Sequence, residues 1–317
     1  MDRTFLKSAY GIDAVSIMPA MGGFSAKAAY RVTGANGIDY FVKAYDAALP
    51  TTRVFIERIE SCMLVLDRLS ASRALCRHIL QPVASLQGRY KAETDGLVYV
   101  VFRFVHGETP GIEGMTRAQT AELAGILAAL HDTDVPFEAQ GLAEDVSLSF
   151  CERLARYLGE AAAKHAELFA LLHPHADMLR AAIREALRLR NTHRVGYAPL
   201  VLCHGDAHGN NVMQGERLVL ADWEDLRLAP AEADLFIHAW HPYGDTLLAA
   251  YAAARGGYHI NRALLYFYTL RRRIEDVWVD VQRLTEEAPS DAEAKQLLAW
   301  IKQGIMEVQK LFESKTN

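Results

Sequence analysis

Cysteine is scarce in this chain: four in 317 residues, at positions 62, 76, 151 and 203, with no C-x-x-C pair among them. A disulfide framework is thereby excluded, and a reduced, cytoplasmic setting is expected. Long apolar runs are missing too. No stretch approaches the roughly 20 apolar residues of a membrane span, and the N-terminus, MDRTFLKSAYGID, lacks the apolar heart of a signal peptide. No membrane partner is expected. Nor is there a basic excess. The 34 Lys and Arg against 39 Asp and Glu leave a net charge of −5, which argues against nucleic acid as a partner and suits a small cationic one. Repeats and low-complexity tracts are absent. What remains is an ordinary globular composition, long enough for one large domain or two small ones.

Against that background one stretch stands out, VLCHGDAHGNNVMQGERLVLADWED over 201–225. Two short Val/Leu runs, 200–202 and 218–221, predict strands flanking a polar loop. The loop carries His204, Asp206, His208, Asn210 and Asn211, and the second run ends on Asp222. Two acids and a carboxamide brought together by a hairpin-like return offer hard oxygen ligands that suit Mg²⁺ and substrate phosphates. Phosphoryl transfer requires such a set: an Asp to orient a hydroxyl nucleophile, then an Asn and an Asp to hold the metal. Two other readings of the same residues stay open. One is a polar loop with capping Asp and Asn; the other is a metal-dependent hydrolase using His204, Asp206 and His208.

The Asp-x₄-Asn spacing matches the catalytic loop of the kinase fold, with Gly205 where protein kinases carry Arg. Written out, His204-Gly205-Asp206-Ala207-His208-Gly209-Asn210-Asn211 resembles the H-G-D-x-H-x-G-N signature of the aminoglycoside phosphotransferase and choline kinase family. Ala221-Asp222-Trp223-Glu224 resembles its I-D-W-[DE] metal motif. Asn210 stands where the family has Gly, and Asn is the next residue after Gly to tolerate a left-handed backbone. Within the family, the pattern together with an Arg-rich stretch running into Ile274-Glu275-Asp276 is most similar to spectinomycin phosphotransferases.

Upstream, short strands are expected at 14–18, 28–33 and 40–44, separated by Met21-Gly22-Gly23 and Gly34-Ala35-Asn36-Gly37. Gly22, Gly23 and Ser25 resemble the family's nucleotide loop, without its usual Asn. Lys43, ending an apolar strand, needs an anion; it resembles the kinase lysine on the nucleotide phosphates. A helix expected to begin at Thr51 or Thr52 offers Glu57 and Glu60 as its partner, and the resemblance favours Glu60. Further strands are expected at 82–86 and 97–104 around a polar turn, 88–96. The segment Phe102–Val105, with Phe104 at its centre, is where the resemblance places adenine. A linker at 105–111 leads into helices near 117–130, 147–158, 161–172 and 176–192, with later ones opening at Asn261 and Ser290.

The expectation is therefore an α+β, protein-kinase-like, two-lobed fold: an antiparallel N-lobe sheet plus helix over 1–105 and a mainly helical C-lobe over 106–317. The resemblance implies transfer of the γ-phosphate of ATP or GTP, with Mg²⁺, to a hydroxyl of an aminoglycoside- or aminocyclitol-like acceptor, spectinomycin among them. Choline, homoserine and methylthioribose are alternative acceptors, and a non-catalytic nucleotide-binding regulator is a further alternative. Asp206 would be catalytic, Asn211 and Asp222 metal ligands, Lys43 and Glu60 phosphate-holding, and Met213 and Ala221 the floor under the base. His204, His208 and Asp234 would support the loop. Glu224, Asp225, Arg272, Glu275 and Asp276 would form an acidic wall for a cationic acceptor. A monomer or homodimer is expected.

Overall fold

The computed structural model describes residues 1–22, 26–112, 114–160 and 165–316. Two compact units are present: Met1–Glu144 with Leu200–Ile260, and Asp145–Pro199 with Asn261–Asn317.

The first unit opens with α1 (Arg3–Tyr10), capped by the Asp2 side chain on Thr4 N–H and ended by Gly11 at φ 69°. Eight residues are too few to announce themselves by periodicity, and the sequence predicts no helix here. Then come β1 (Ala14–Ala20), β2 (Ala28–Gly34), β3 (Asp39–Asp46), α2 (Pro50–Ser70), β4 (Pro82–Val83), β5 (Lys91–Thr94) and β6 (Leu97–Arg103). The strands form one antiparallel sheet in the order β1-β2-β3-β6-β4, with β5 also on β6. β5 lies inside the expected polar turn, because Lys91-Ala92-Glu93-Thr94 has no apolar alternation to mark it. The strand expected at 82–86 shrinks to two residues. As its near-continuous apolar run predicts, β6 is buried from Val98 to Phe102.

Alternation along β3 decides where the unit's chemistry goes. Tyr40, Val42 and Ala44 join Leu6, Ala9 and Tyr10 of α1 and Tyr99 and Val101 of β6 in one core. Lys43 and Tyr45 therefore point to the other face of the sheet. Helix α2 starts at Pro50, not at a threonine. Leu49 takes the cap position without a side-chain bond, since proline's fixed φ suits the first helical residue. Its buried stripe runs through Ile56, Ile59, Cys62, Met63, Leu66 and Leu69.

Helix α3 (Arg117–His131) begins at the predicted capping box, with the Thr116 side chain on Gln119 N–H and the Gln119 side chain on Thr116 N–H. The second unit's α4 (Ser149–Glu160), α5 (Ala166–Leu172) and α6 (Ala176–Thr192) follow. Part of the helix expected over 161–172 lies outside the described residues. The chain returns to the first unit with β7 (Val201–Cys203), β8 (Val212–Gln214), β9 (Leu218–Leu220), β10 (Arg227–Ala229), α7 (Glu232–Ala239) and α8 (Gly244–Ala254). The second unit closes with α9 (Arg262–Glu286), capped by Asn261, and α10 (Asp291–Thr316), preceded by the reciprocal Ser290–Glu293 box. Leu297, Ile301, Ile305 and Val308 of α10 are buried. Among the described residues no helix is long and apolar enough to cross a membrane.

Candidate active site

The two predicted strands around the polar loop do not pair with each other. β7 pairs with β10, and β9 forms a hairpin with β8, so the loop from 204 to 211 leaves one ribbon and enters another. Asp234, in the first turn of α7 and wholly buried, accepts the backbone N–H groups of His204 at 2.8 Å and Gly205 at 2.7 Å. It also accepts from His131 Nε2 at 3.0 Å, while His131 Nδ1 lies 2.7 Å from the Tyr251 hydroxyl. Burial pushes the Asp234 carboxyl upward, but the hydrogen bond and charge of His131 and the charge of His204 carry it below its ordinary value. The sequence assigns no role to His131. Its signal was position: four residues after Leu127, it continues the buried stripe of α3.

Gly205 sits at φ +86°, and a Cβ there would lie 2.3 Å from the Asp225 carbonyl oxygen. No side chain fits, which accounts for glycine where protein kinases carry arginine. The buried ring of His204 spans the loop: Nε2 donates to the Ala221 carbonyl at 2.9 Å, and Nδ1 accepts the Asp206 N–H at 3.3 Å. Burial lowers its pKa, against the pull of Asp234 and Asp206. It links the exit of β7 to the residue before Asp222.

Asn211 donates through Nδ2 to Asp206 Oδ2 at 2.9 Å and to the Asp206 carbonyl at 2.8 Å. Its own carbonyl accepts Ala221 N–H at 2.9 Å, placing it against the residue before Asp222. Asp222 takes a left-handed backbone, φ 67° and ψ 56°, which opens the single 3₁₀ turn Trp223–Asp225. Non-glycine residues rarely adopt this conformation, and Asp is among those that tolerate it. His208 Nε2 is 3.3 Å from Asp206 Oδ2. Asp206, Asn211 and Asp222 thus come together at one edge of the loop. The hydrolase triplet does not converge: among the described residues the one ligand-like group is His131, Cys203 and Asp234. There His131 and Asp234 are already engaged in the hydrogen bonds that hold the loop.

Lys43 reaches this edge from β3. It is 3 % exposed, and its Nζ is paired with Asp222 and lies 2.7 Å from Glu224 Oε1. The Tyr45 hydroxyl donates to the same Glu224 oxygen. Burial works against the Lys43 charge, yet Glu224 and Asp222 hold its pKa above the usual value. Burial likewise pushes Asp222 up, and Lys43 overcomes it, leaving Asp222 below its ordinary range. Glu224 moves the other way. Burial, opposed by Lys43 and aided by the adjoining Asp222 carboxylate, lifts it to about 7.

Two expectations are corrected here. Glu60 does not meet Lys43; it accepts from Arg89 Nε at 3.0 Å and from Tyr90 N–H at 3.2 Å. It lies on the side of α2 that faces the turn before β5. Glu224 does not stand in an open acceptor wall either. At 4 % exposed it is buried as a partner of the lysine.

Of the remaining predicted residues, Gly22 precedes β2, while Gly23 and Ser25 lie outside the described residues. Phe102 is buried within β6, and Phe104 N–H is engaged by the Asp39 carbonyl at 3.0 Å. Val105, Met213 and Ala221 are half-buried. Asp225 pairs with Arg227 at 2.6 Å. In the second unit Arg272 Nε lies 2.8 Å from Asp276 Oδ1, one helical turn on, and buried Arg271 is 3.9 Å from Glu275.

A family model described as "Phosphotransferase enzyme family" matches residues 16–268. Among solved structures, a spectinomycin phosphotransferase in complex with ADP and spectinomycin superposes with a TM-score of 0.71 at 20 % identity, covering 98 % of this chain and 97 % of that one. An amicoumacin kinase in complex with AMP-PNP and Ca²⁺ gives 0.64 at 12 % identity, over 96 % and 92 %. A macrolide 2′-phosphotransferase from Brachybacterium faecium gives 0.54 at 15 % identity, over 92 % and 94 %. No curated protein sequence matches the chain. The likeness covers nearly the whole chain, and the fold is that of the kinase-like antibiotic phosphotransferases.

Proposed function

The chain belongs to the phosphotransferase enzyme family, and from that premise we propose that it transfers the γ-phosphate of ATP or GTP to a hydroxyl of an amine-bearing small molecule. The observation that carries this reading is the meeting of Asp206, Asn211, Asp222 and Lys43 at one edge. In the proposed mechanism Asp206 accepts or orients the proton of the attacking hydroxyl, held at a fixed angle by the Asn211 carboxamide. Lys43 neutralises the α- and β-phosphates. The segment Phe102–Val105 receives the base above Met213 and Ala221. The portion 1–105 would carry the nucleotide, and 106–317 the catalytic loop and acceptor.

The donor set fits a hard divalent cation. Asn211 spends its N–H on Asp206, so its oxygen is the end left for a cation, and Asp222 is ionised and partly exposed. Asn211 and Asp222 would hold Mg²⁺, which when bound would supply charge neutralisation at the nucleotide phosphates. Four free thiols, three of them buried, suit a reducing, cytoplasmic setting.

For the acceptor, an aminocyclitol such as spectinomycin is favoured by the net negative charge and by the spectinomycin phosphotransferase likeness. A phosphorylation screen with ATP and GTP over aminocyclitols, aminoglycosides, macrolides, choline, homoserine and methylthioribose tests both levels. Transfer to an amine-bearing compound supports the reading; transfer only to neutral or anionic alcohols overturns the acceptor, and none to any hydroxyl compound overturns the reaction.

A further inference from the structure

We propose that Glu224, two residues after Asp222, is the residue that holds Lys43 against the nucleotide phosphates, in place of a glutamate on α2. The proposal rests on the phosphotransferase reading above. A lysine ammonium at 3 % exposure is tolerable only with anions beside it. Lys43 has two, Asp222 and Glu224. Asp222 is also the residue assigned to the metal, so a lysine that depended on it alone would lose its anchor when the metal arrives. Glu224 is the partner that stays.

The surroundings of Glu224 are built for that duty. The side chain is 4 % exposed, and its Oε1 receives both Lys43 Nζ at 2.7 Å and the hydroxyl of Tyr45. Tyr45 is itself wholly buried, two residues along the same strand and on the same face as Lys43. Glu224 Oε2 is buried with no hydrogen-bond partner among the described residues. It is the acceptor available to Lys43 when the lysine leaves Asp222.

Among the described residues, helix α2 places no carboxylate within salt-bridge range of Lys43. To the turn that carries Glu224 it presents Arg58, whose Nη2 donates to the Leu226 carbonyl at 2.6 Å, and Cys62, whose Sγ lies 3.9 Å from the Glu224 and Leu226 carbonyls. Glu57 is exposed, and both oxygens of Glu60 are taken up by the Tyr90 N–H. The anion has moved from the helix to the metal-motif turn, where Lys43 and Asp222 are organised by one 3₁₀ turn.

Calorimetric titration of ATP with saturating Mg²⁺ into the full-length protein separates the possibilities, with a thermal melt of each variant to verify folding. Glu224→Gln should weaken ATP binding roughly tenfold, the scale of one charge-assisted contact. Tyr45→Phe, which removes only the hydroxyl behind Glu224, should weaken it several-fold, and Glu60→Gln should bind as wild type. If folded Glu224→Gln and Tyr45→Phe bind ATP as wild type while Lys43→Ala does not, the assignment of Glu224 is wrong. If Lys43→Ala also binds as wild type, the nucleotide reading itself fails.

Discussion

Asn211 donates its carboxamide N–H to Asp206 Oδ2 at 2.9 Å, so two residues five apart on one loop are fixed as a pair. That bond, with His208 Nε2 3.3 Å from the same oxygen, constrains the acid and turns the amide oxygen away from it. If Asp206 positions the nucleophile, Asp206→Asn should lower turnover by about 10²–10⁴, the usual contribution of a placed base, and leave nucleotide affinity close to wild type. Steady-state kinetics beside a binding titration checks this. Near-normal turnover would remove Asp206 from the chemistry.

Asp222 carries a different expectation. It is ionised and paired with Lys43, and it is assigned to the cation. Asp222→Asn should flatten the Mg²⁺ dependence of nucleotide affinity as well as lower the rate. Nucleotide titrations at several Mg²⁺ concentrations give the comparison, and parallel curves for variant and wild type would mean that the metal sits elsewhere.

Gly205→Ala tests the loop backbone. A methyl group 2.3 Å from the Asp225 carbonyl, on a residue at φ +86°, has nowhere to go without moving the catalytic turn. Left-handed strain costs about 1–2 kcal/mol, and overpacking adds about 1–3 kcal/mol. The variant should lose that much stability by urea unfolding and most of its activity. A substitution with neither effect would show that the turn relaxes freely.

Much of this was legible because short motifs carry their own geometry. The H-G-D-x-H-x-x-N loop, the Asp222 motif, the buried β6 and the Thr116 and Ser290 boxes all depend on residues close in sequence. What sequence missed was long-range. Lys43 finds its anion 181 positions away at Glu224, and nothing in the spacing of α2 shows that Glu60 points at Arg89 instead. His131 reads as a helix-end histidine until Asp234, 103 positions on, comes to meet it. β5 was hidden because an edge strand made of Lys, Ala, Glu and Thr has no apolar face to display.

The last prediction concerns acid. His238, at the end of α7, is wholly buried, with Nδ1 3.4 Å from the Tyr243 hydroxyl, while Tyr243 donates to the Ile112 carbonyl at 3.1 Å. Burial, against the pull of Asp234 and with the push of His241 and His208, takes its pKa from 6.5 down to about 4. Between those values the unfolded chain binds the proton and the folded one resists it, so stability must rise with pH across the window. The contribution is complete above about 6.5 and disappears as pH falls toward 4. Its full size is about 3 kcal/mol, at 1.36 kcal/mol per unit. His238→Gln, neutral at every pH, should be less stable than wild type near neutrality through lost packing, yet lose less on acidification. Urea midpoints at pH 7 and pH 4.5 should therefore converge for the two proteins. Asp234, also held below its ordinary pKa, gives up its share at lower pH and does so in both, so it cannot produce the convergence. Parallel acid limbs would mean that the His238 imidazole takes up its proton in place, and that its neutrality is no part of what holds α7 to the catalytic loop.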